Sequence, residues 1–274
     1  MKKFVYGKNV FLTGGSSGIG LATAELFAAN GYTVFAGSRN PSSEVRTFPG
    51  GGEIRPVKLD VCNPGSIASA AEFVLAQADI GIVIHCAGIG IACAAEDYPP
   101  GAVLNLMNTN FNGVLRLNSR LLPFLRGRGA GLCVMVGSMA GIFSVPYQSH
   151  YSASKAAIAS YASALRMELN KTSVRVCLIM PGDTRTGFTN ARKYEIDESS
   201  PFYDDCIKAI KKMEKDEING HPPSKVAQTI FKISAKKNPP SKKIIGIGYK
   251  TLALLNRLLP VRLVEYILRK MYVG

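Results

Sequence analysis

"NVFLTGGSSGIGLATAELFAANG" occupies residues 9–31. It joins a short apolar run at 9–13 to a helical pattern at 21–30 through a turn rich in glycine and serine. A strand that feeds a helix through such a turn is the phosphate-binding corner of a dinucleotide fold. Gly14 permits the tight turn, Gly18 lets backbone approach a pyrophosphate, and Gly20 allows the helix to pack close to the strand. Backbone N–H groups of Ser16, Ser17, Gly18 and Ile19 then face the phosphates. The spacing is G-x-x-x-G-x-G, which differs from the common G-x-G-x-x-G fingerprint.

The rest of the chain repeats the strand–helix alternation. Apolar runs at 33–38, 54–60, 80–88, 131–138, 174–182 and 242–248 read as further strands. Helical patterns at 66–78, 100–125 and 149–169 separate them. Near-continuous apolar strands between helices predict a parallel sheet covered on both faces. The expected fold is a doubly wound, Rossmann-like α/β domain over residues 1–250. A polar, irregular stretch at 183–223 interrupts it and reads as a substrate loop. An amphipathic extension follows at 251–274.

Composition narrows the class. Of 274 residues, 47% are hydrophobic and 19% charged, as in a packed globule. Formal net charge is +14. Residues 201–274 hold 15 Lys and Arg against 6 Asp and Glu, so the excess gathers at the C-terminal end. No nucleic-acid recognition motif accompanies it, and no nucleic-acid partner is expected. Six unpaired-looking cysteines and three scattered histidines predict neither a disulfide framework nor a metal site. Without an apolar leader or an 18-residue apolar run, the reading is a cytoplasmic protein, with membrane association only at a surface.

Two local patterns carry chemistry. The second strand ends in "GSRN", with Arg39 where a carboxylate would otherwise grip a ribose 2′-hydroxyl. A guanidinium suits a 2′-phosphate, which predicts NADP(H) in preference to NAD(H). Further on, "SHYSASKAAIASYASALRMEL" (149–169) places Tyr151 and Lys155 one helical turn apart. Positions i and i+4 share a helix face. Such a pair is ordinarily a solvated surface feature, so the other motifs decide its meaning.

With "TGGSSGIG", "YSASK" and "PG" in place, the chain resembles the short-chain dehydrogenase/reductase family over about residues 7–250. The resemblance implies a catalytic set of Asn110, Ser138, Tyr151 and Lys155. Asn108 and Asn112 are alternates for the asparagine. It implies that Asp60 and Val61 flank the adenine, and that Ala87, Gly88, Pro181, Gly182, Thr184 and Thr186 meet the cofactor, with Tyr151 and Lys155. It also implies a homodimer or homotetramer packed through the long helices. Lys155 and a cationic nicotinamide are expected to lower the Tyr151 phenol toward neutrality. Ser138 would hold the substrate oxygen, and Asn110 would position a water leading to Lys155. One departure stands at residue 86. The family commonly has Asn-Asn-Ala-Gly where this chain has His85-Cys86-Ala87-Gly88, and Cys86 cannot make the bracing hydrogen bonds of an asparagine. His150, Cys93 and Cys206 receive no role.

In the tail, Pro260 separates two helical patterns. In the second, Leu263, Val264, Ile267, Leu268 and Met271 share a face. Three readings stay open: a docked structural helix, a lid on an apolar pocket, and contact with an anionic membrane surface. The combined expectation is an NADP(H)-dependent oxidoreductase that interconverts ketone and alcohol on a bulky, apolar small molecule. Its rival is a non-catalytic NADPH-binding regulator.

Overall fold

A computed structural model describes residues 4–97, 99–194 and 196–274. Strands β1 (Asn9–Thr13), β2 (Thr33–Ser38), β3 (Arg46–Thr47), β4 (Glu53–Lys58) and β5 (Ile80–His85) come first. Helices α1 (Gly18–Ala28) and α2 (Pro64–Gln77) lie among them. A two-residue strand β6 (Ile91–Ala92) precedes α3 (Pro100–Met107) and α4 (Gly113–Gly127). Then come β7 (Gly131–Val136), α5 (Ser149–Glu168), β8 (Val174–Met180), α6 (Phe188–Ala191), β9 (Lys193–Tyr194), α7 (Tyr203–Ile218) and α8 (Pro223–Ser234). The chain closes with β10 (Lys242–Ile244), α9 (Ile247–Leu258) and α10 (Val261–Tyr272).

Eight strands form one sheet in the order β10-β8-β7-β5-β1-β2-β4-β3. Every pairing is parallel except that of β3 with β4. The order reverses between β1 and β5, so a crevice opens there at the carboxyl ends of the strands. Alternate side chains supply two cores. Phe11 and Val83 face Leu117, Leu121 and Ile158 on the side of α2, α4 and α5. Val10, Leu12 and Ile82 face Phe27, Val226 and Ile230 on the side of α1 and α8. The doubly wound parallel sheet expected from the sequence is the fold observed.

Boundaries differ in informative places. The single helix expected at 100–125 is α3 and α4 joined by a π-helical turn at Asn108–Asn112. One extra residue there re-aims the Asn-rich segment, as π-turns at functional sites do. Strand β10 ends at Ile244, because Gly246 adopts φ +96° and α9 starts at Ile247. Strands β6 and β9 were not expected, being two residues each. They pair Ile91 with Lys193 and Ala92 with Tyr194, and so tie the 183–223 stretch to the body.

The brace expected to weaken at Cys86 is built elsewhere. Thr13 Oγ1 accepts from the Cys86 and Ala87 amides, each at 3.2 Å. One residue earlier, buried His85 places Nε2 2.8 Å from Asn118 Oδ1. Asn118 Nδ2 donates to the Tyr161 hydroxyl at 3.3 Å, and Cys133 Sγ donates to Asn118 Oδ1 at 3.5 Å. This network links β5, β7, α4 and α5. Burial lowers the His85 imidazole from 6.5 to about 4. The unfolded chain therefore binds a proton between those values that the folded chain refuses. Stability is full above about pH 6.5 and falls as pH drops toward 4. The loss attributable to His85 is about 3 kcal/mol, at 1.36 kcal/mol per unit. Urea midpoints at neutral and acidic pH should show it. His85→Gln, which keeps a hydrogen-bonding group without titrating, should flatten the slope.

Candidate active site

A cavity of about 990 Å³ opens at the carboxyl edge of the sheet. Its first wall is the turn between β1 and α1. Gly14 (φ +72°) and Gly18 (φ +53°) adopt backbone conformations that other residues rarely enter. A Cβ at Gly20 would stand 2.0 Å from the Gly14 carbonyl oxygen, so the first turn of α1 lies directly on the end of β1. Ser16, Ser17, Gly18 and Ile19 line the cavity, and no acidic residue occupies the first turn of α1. The first N–H groups and positive dipole end of the helix face the cavity there, an arrangement that suits an anion.

Arg39 follows β2 at the cavity's edge and is exposed. Asp60 and Val61 line the wall after β4. The Asp60 carboxylate accepts from the Cys62 amide at 2.9 Å, which fixes the turn. Ala87 and Gly88 continue the floor, and Pro181, Gly182, Thr184 and Thr186 form the wall after β8. A Cβ at Gly18 would lie 3.4 Å from Thr186, so the phosphate turn and the β8 loop meet across the cleft. Shape and chemistry both fit a dinucleotide: a backbone-lined anion site at one end, a guanidinium beside it, and an elongated floor leading to Lys155.

At the far end stand Ser138, Tyr151 and Lys155. Ser138 stands two residues beyond β7, and its Oγ accepts from the Ala140 amide at 3.1 Å. Lys155 is buried, 5.6 Å from the Tyr151 ring centroid, and donates to the Val136 carbonyl at 3.2 Å. Burial lowers its ammonium to about 8. Tyr151 is pushed up to about 12, chiefly by burial; the Ser138 hydroxyl and Arg192 oppose this, while Glu217 and Asp183 add to it. The lowering expected from the sequence is therefore absent from the protein by itself. The phenol keeps its proton, because desolvation outweighs the Ser138 hydroxyl and the Arg192 guanidinium.

Asn110 lies behind the wall rather than in it. Its Oδ1 accepts from the Ile89 amide at 2.8 Å, and its Nδ2 donates to the Ile89 carbonyl and to Ser154 Oγ, both at 3.0 Å. The π-turn presents Asn110 as a clamp on the loop after β5. Gly88 lets it come close to Lys155: a Cβ there would meet Asn110 Oδ1 at 3.3 Å and Lys155 Nζ at 3.6 Å. The side-chain amide is thus committed to protein partners. His150, Cys93 and Cys206 do not line the cavity.

Several neighbours escaped the sequence reading. Phe188 packs against the Tyr151 ring, with centroids 5.6 Å apart. Behind Phe188, the buried Arg192 guanidinium pairs with Glu217 of α7. Glu217 also accepts from Thr189 at 2.6 Å. Gln148, with its amide oxygen turned to the guanidinium, accepts from Arg192 Nε at 2.9 Å. Glu217 lies 25 residues from Arg192 with no periodic relation, so no sequence signal announced the pair. Asp183 likewise meets Tyr249 of α9, whose hydroxyl accepts from the Asp183 amide at 3.1 Å and donates to its carboxylate.

Helices α9 and α10 roof the far end of the cavity. Leu252 and Leu255 come from the first, Leu259 from the bend that follows it, and Val264, Ile267 and Leu268 from the second. Of the apolar stripe expected on the tail, Val264, Ile267, Leu268 and Met271 line the cleft and Leu263 does not.

Comparison with known proteins agrees with this geometry. A family model described as short chain dehydrogenase matches residues 8–197. A 3-ketodihydrosphingosine reductase of Bacteroides thetaiotaomicron is 35% identical over 267 residues, 96% of this chain and 97% of that protein. An NADPH-dependent 1-acyldihydroxyacetone phosphate reductase of Saccharomyces cerevisiae is 34% identical over 68% of this chain and 64% of its own length. Among solved structures, a short-chain dehydrogenase from Streptomyces avermitilis superposes with a TM-score of 0.78. It is 28% identical, and the match covers 96% of this chain and 97% of that one.

Proposed function

The chain belongs to the short chain dehydrogenase family, is an NAD(P)-dependent oxidoreductase, and, we propose, reduces a ketone carried on a lipid-like molecule with NADPH as donor. The observation that carries this reading is the two-ended cavity, polar and glycine-lined at the β1 turn and apolar under α9 and α10. Both named relatives are reductases of lipid-like ketones, and the yeast protein's name specifies NADPH.

Bound nicotinamide supplies the hydride in such a reaction. The backbone of Gly14–Gly20 would hold its pyrophosphate, and Arg39 the 2′-phosphate. The loops at Ala87–Gly88 and Pro181–Thr186 would hold the nicotinamide half, with Lys155 on the ribose hydroxyls. The protein's own groups then manage the carbonyl oxygen. Ser138 Oγ donates to it and stabilises the charge that builds there. Tyr151, protonated at neutral pH, delivers its proton to that oxygen as the alcohol forms. A phenol held neutral by burial stands in the protonation state that ketone reduction requires. Lys155, lowered to about 8, stabilises the phenolate left behind and lies where it can return a proton. Phe188, backed by Arg192 and Glu217, holds the Tyr151 ring in register.

The apolar roof receives the hydrocarbon body of the substrate. Residues 1–250 act as the catalytic unit in this reading and 251–274 as its cover. A homodimer or homotetramer packed through α4 and α5, and a cytoplasmic location with membrane contact, belong to the same proposal.

Tyr151→Phe should lower the rate of ketone reduction at least about a hundredfold, the lower end for positioned acid catalysis. NADPH binding, followed by nicotinamide fluorescence, should stay within about threefold. Activity above about a hundredth of wild type would remove Tyr151 from the role of acid. Arg39→Asp should weaken NADPH binding by about ten- to a hundredfold, the worth of a charged hydrogen bond, and turn the preference toward NADH. Steady-state kinetics with both nucleotides checks this. An unchanged preference would show that Arg39 does not read the 2′-phosphate.

A further inference from the structure

The tail has a second apolar face that the cavity does not use. Ten of the seventeen large apolar side chains that stand exposed among the described residues lie between Ile247 and Met271, and five of these ten, Leu254, Leu258, Val261, Leu263 and Tyr266, do not line the cavity. Neither α9 nor α10 contains a buried residue. The two helices are fixed at their outer ends. Tyr249 is bonded to Asp183. Tyr272 packs by Cys206 and Met213 of α7, with Lys212 Nζ 5.9 Å from its ring. Between these tethers the elbow at Leu259–Pro260 projects. Leu254, Leu258 and Val261 stand there at 57%, 69% and 71% exposure, and none of them lines the cavity.

Charge surrounds this apolar tip. Residues 247–274 carry Lys250, Arg257, Arg262, Arg269 and Lys270 against Glu265 alone. All five cations are exposed. An amphipathic helix pair with an apolar tip and a basic flank is suited to the interface of an anionic bilayer, where buried apolar area and attraction to lipid head groups add. A second copy of the chain would bring one basic flank against another, which like charges oppose. No helix of the described residues is long and apolar enough to span a membrane, so the contact is peripheral.

We propose that the α9–α10 elbow docks on an anionic phospholipid surface through Leu254, Leu258 and Val261, with Arg257 and Arg262 on head groups. The helices that touch the bilayer on one side are those that roof the cavity on the other. A lipid-like ketone therefore passes from bilayer to active site along one amphipathic element. This inference rests on the lipid-like substrate proposed above, but its test does not.

Full-length protein is sedimented with phosphatidylcholine vesicles and with vesicles containing about one third phosphatidylglycerol. Binding to the anionic vesicles alone, reversed by salt, is expected. Leu258→Glu with Val261→Glu should weaken it at least about tenfold. Arg257→Gln with Arg262→Gln should do the same, since each basic residue near such a surface is worth roughly fivefold. Both double variants should keep wild-type turnover of a small water-soluble ketone, which shows that they fold. Equal binding to neutral vesicles, no binding, or binding unaffected by either pair would overturn the proposal. So would an oligomer in solution that the Leu258/Val261 pair dissolves, with no vesicle binding, since the tip would then cover a second copy. Vesicle binding without activity on any long-chain ketone would leave the docking surface intact and defeat the functional reading instead.

Discussion

The backbone of Gly20 lies against the carbonyl of Gly14, so close that a single methyl carbon at position 20 would stand 2.0 Å from that oxygen. This approach fixes where α1 begins and how it sits on β1. The N–H groups at the start of α1 then point along the carboxyl edge of the sheet, at the crevice where strand order reverses. Everything else in the cleft is measured from that point. The loop after β8 reaches the turn through Thr186, and the floor after β5 passes under it at Ala87. The start of α5 brings Tyr151 and Lys155 to the far end. A helix shifted outward by even one methyl would lose the anion site and the register between the two ends.

The same economy governs the reacting end. Lys155 is almost wholly buried, and among the described residues its ammonium donates to the Val136 carbonyl and lies near the Tyr151 ring. Tyr151 is equally pressed toward its neutral form. In the proposed mechanism, a phenol kept as an acid beside an ammonium of lowered pKa gives a proton and recovers it. Glu217 and Arg192, acting on Tyr151 with opposite signs, sit behind it as a buried ion pair. Removal of one partner of such a pair leaves an uncompensated charge and typically costs about 3–5 kcal/mol. The 183–223 stretch is therefore held by a buried and specific ion pair.

Much of this was legible in the residues. The alternation of apolar runs and helical patterns gave a doubly wound sheet because parallel strands are buried on both faces. The glycine turn and the Tyr151–Lys155 spacing were readable because each is local: a few residues fix the geometry. What escaped was non-local or one residue long. The π-turn that withdraws Asn110 from the cavity depends on a single extra residue in a helix whose pattern looks continuous. The His85–Asn118 brace joins residues 33 apart, and the Arg192–Glu217 pair joins a strand end to a helix through a polar stretch without periodicity. In the protein without nicotinamide, burial, which sequence does not display, pushes the Tyr151 phenol up more than the Ser138 hydroxyl and Arg192 pull it down.

In the proposed reading the tail ties these points to substrate choice, and its contribution is directly measurable. Water-soluble ketones of increasing alkyl length are compared, with NADPH, in the full chain and in a chain lacking residues 258–274. In the full chain kcat/KM should rise with length by up to about fourfold per methylene, as about 0.8 kcal/mol per buried CH₂ implies, until the roof is filled. In the shortened chain the rise should be largely lost, while the smallest ketone reacts nearly as before. A full-chain rate independent of length, or an equal loss for short and long ketones on truncation, would contradict the account of an apolar cavity roofed by α9 and α10.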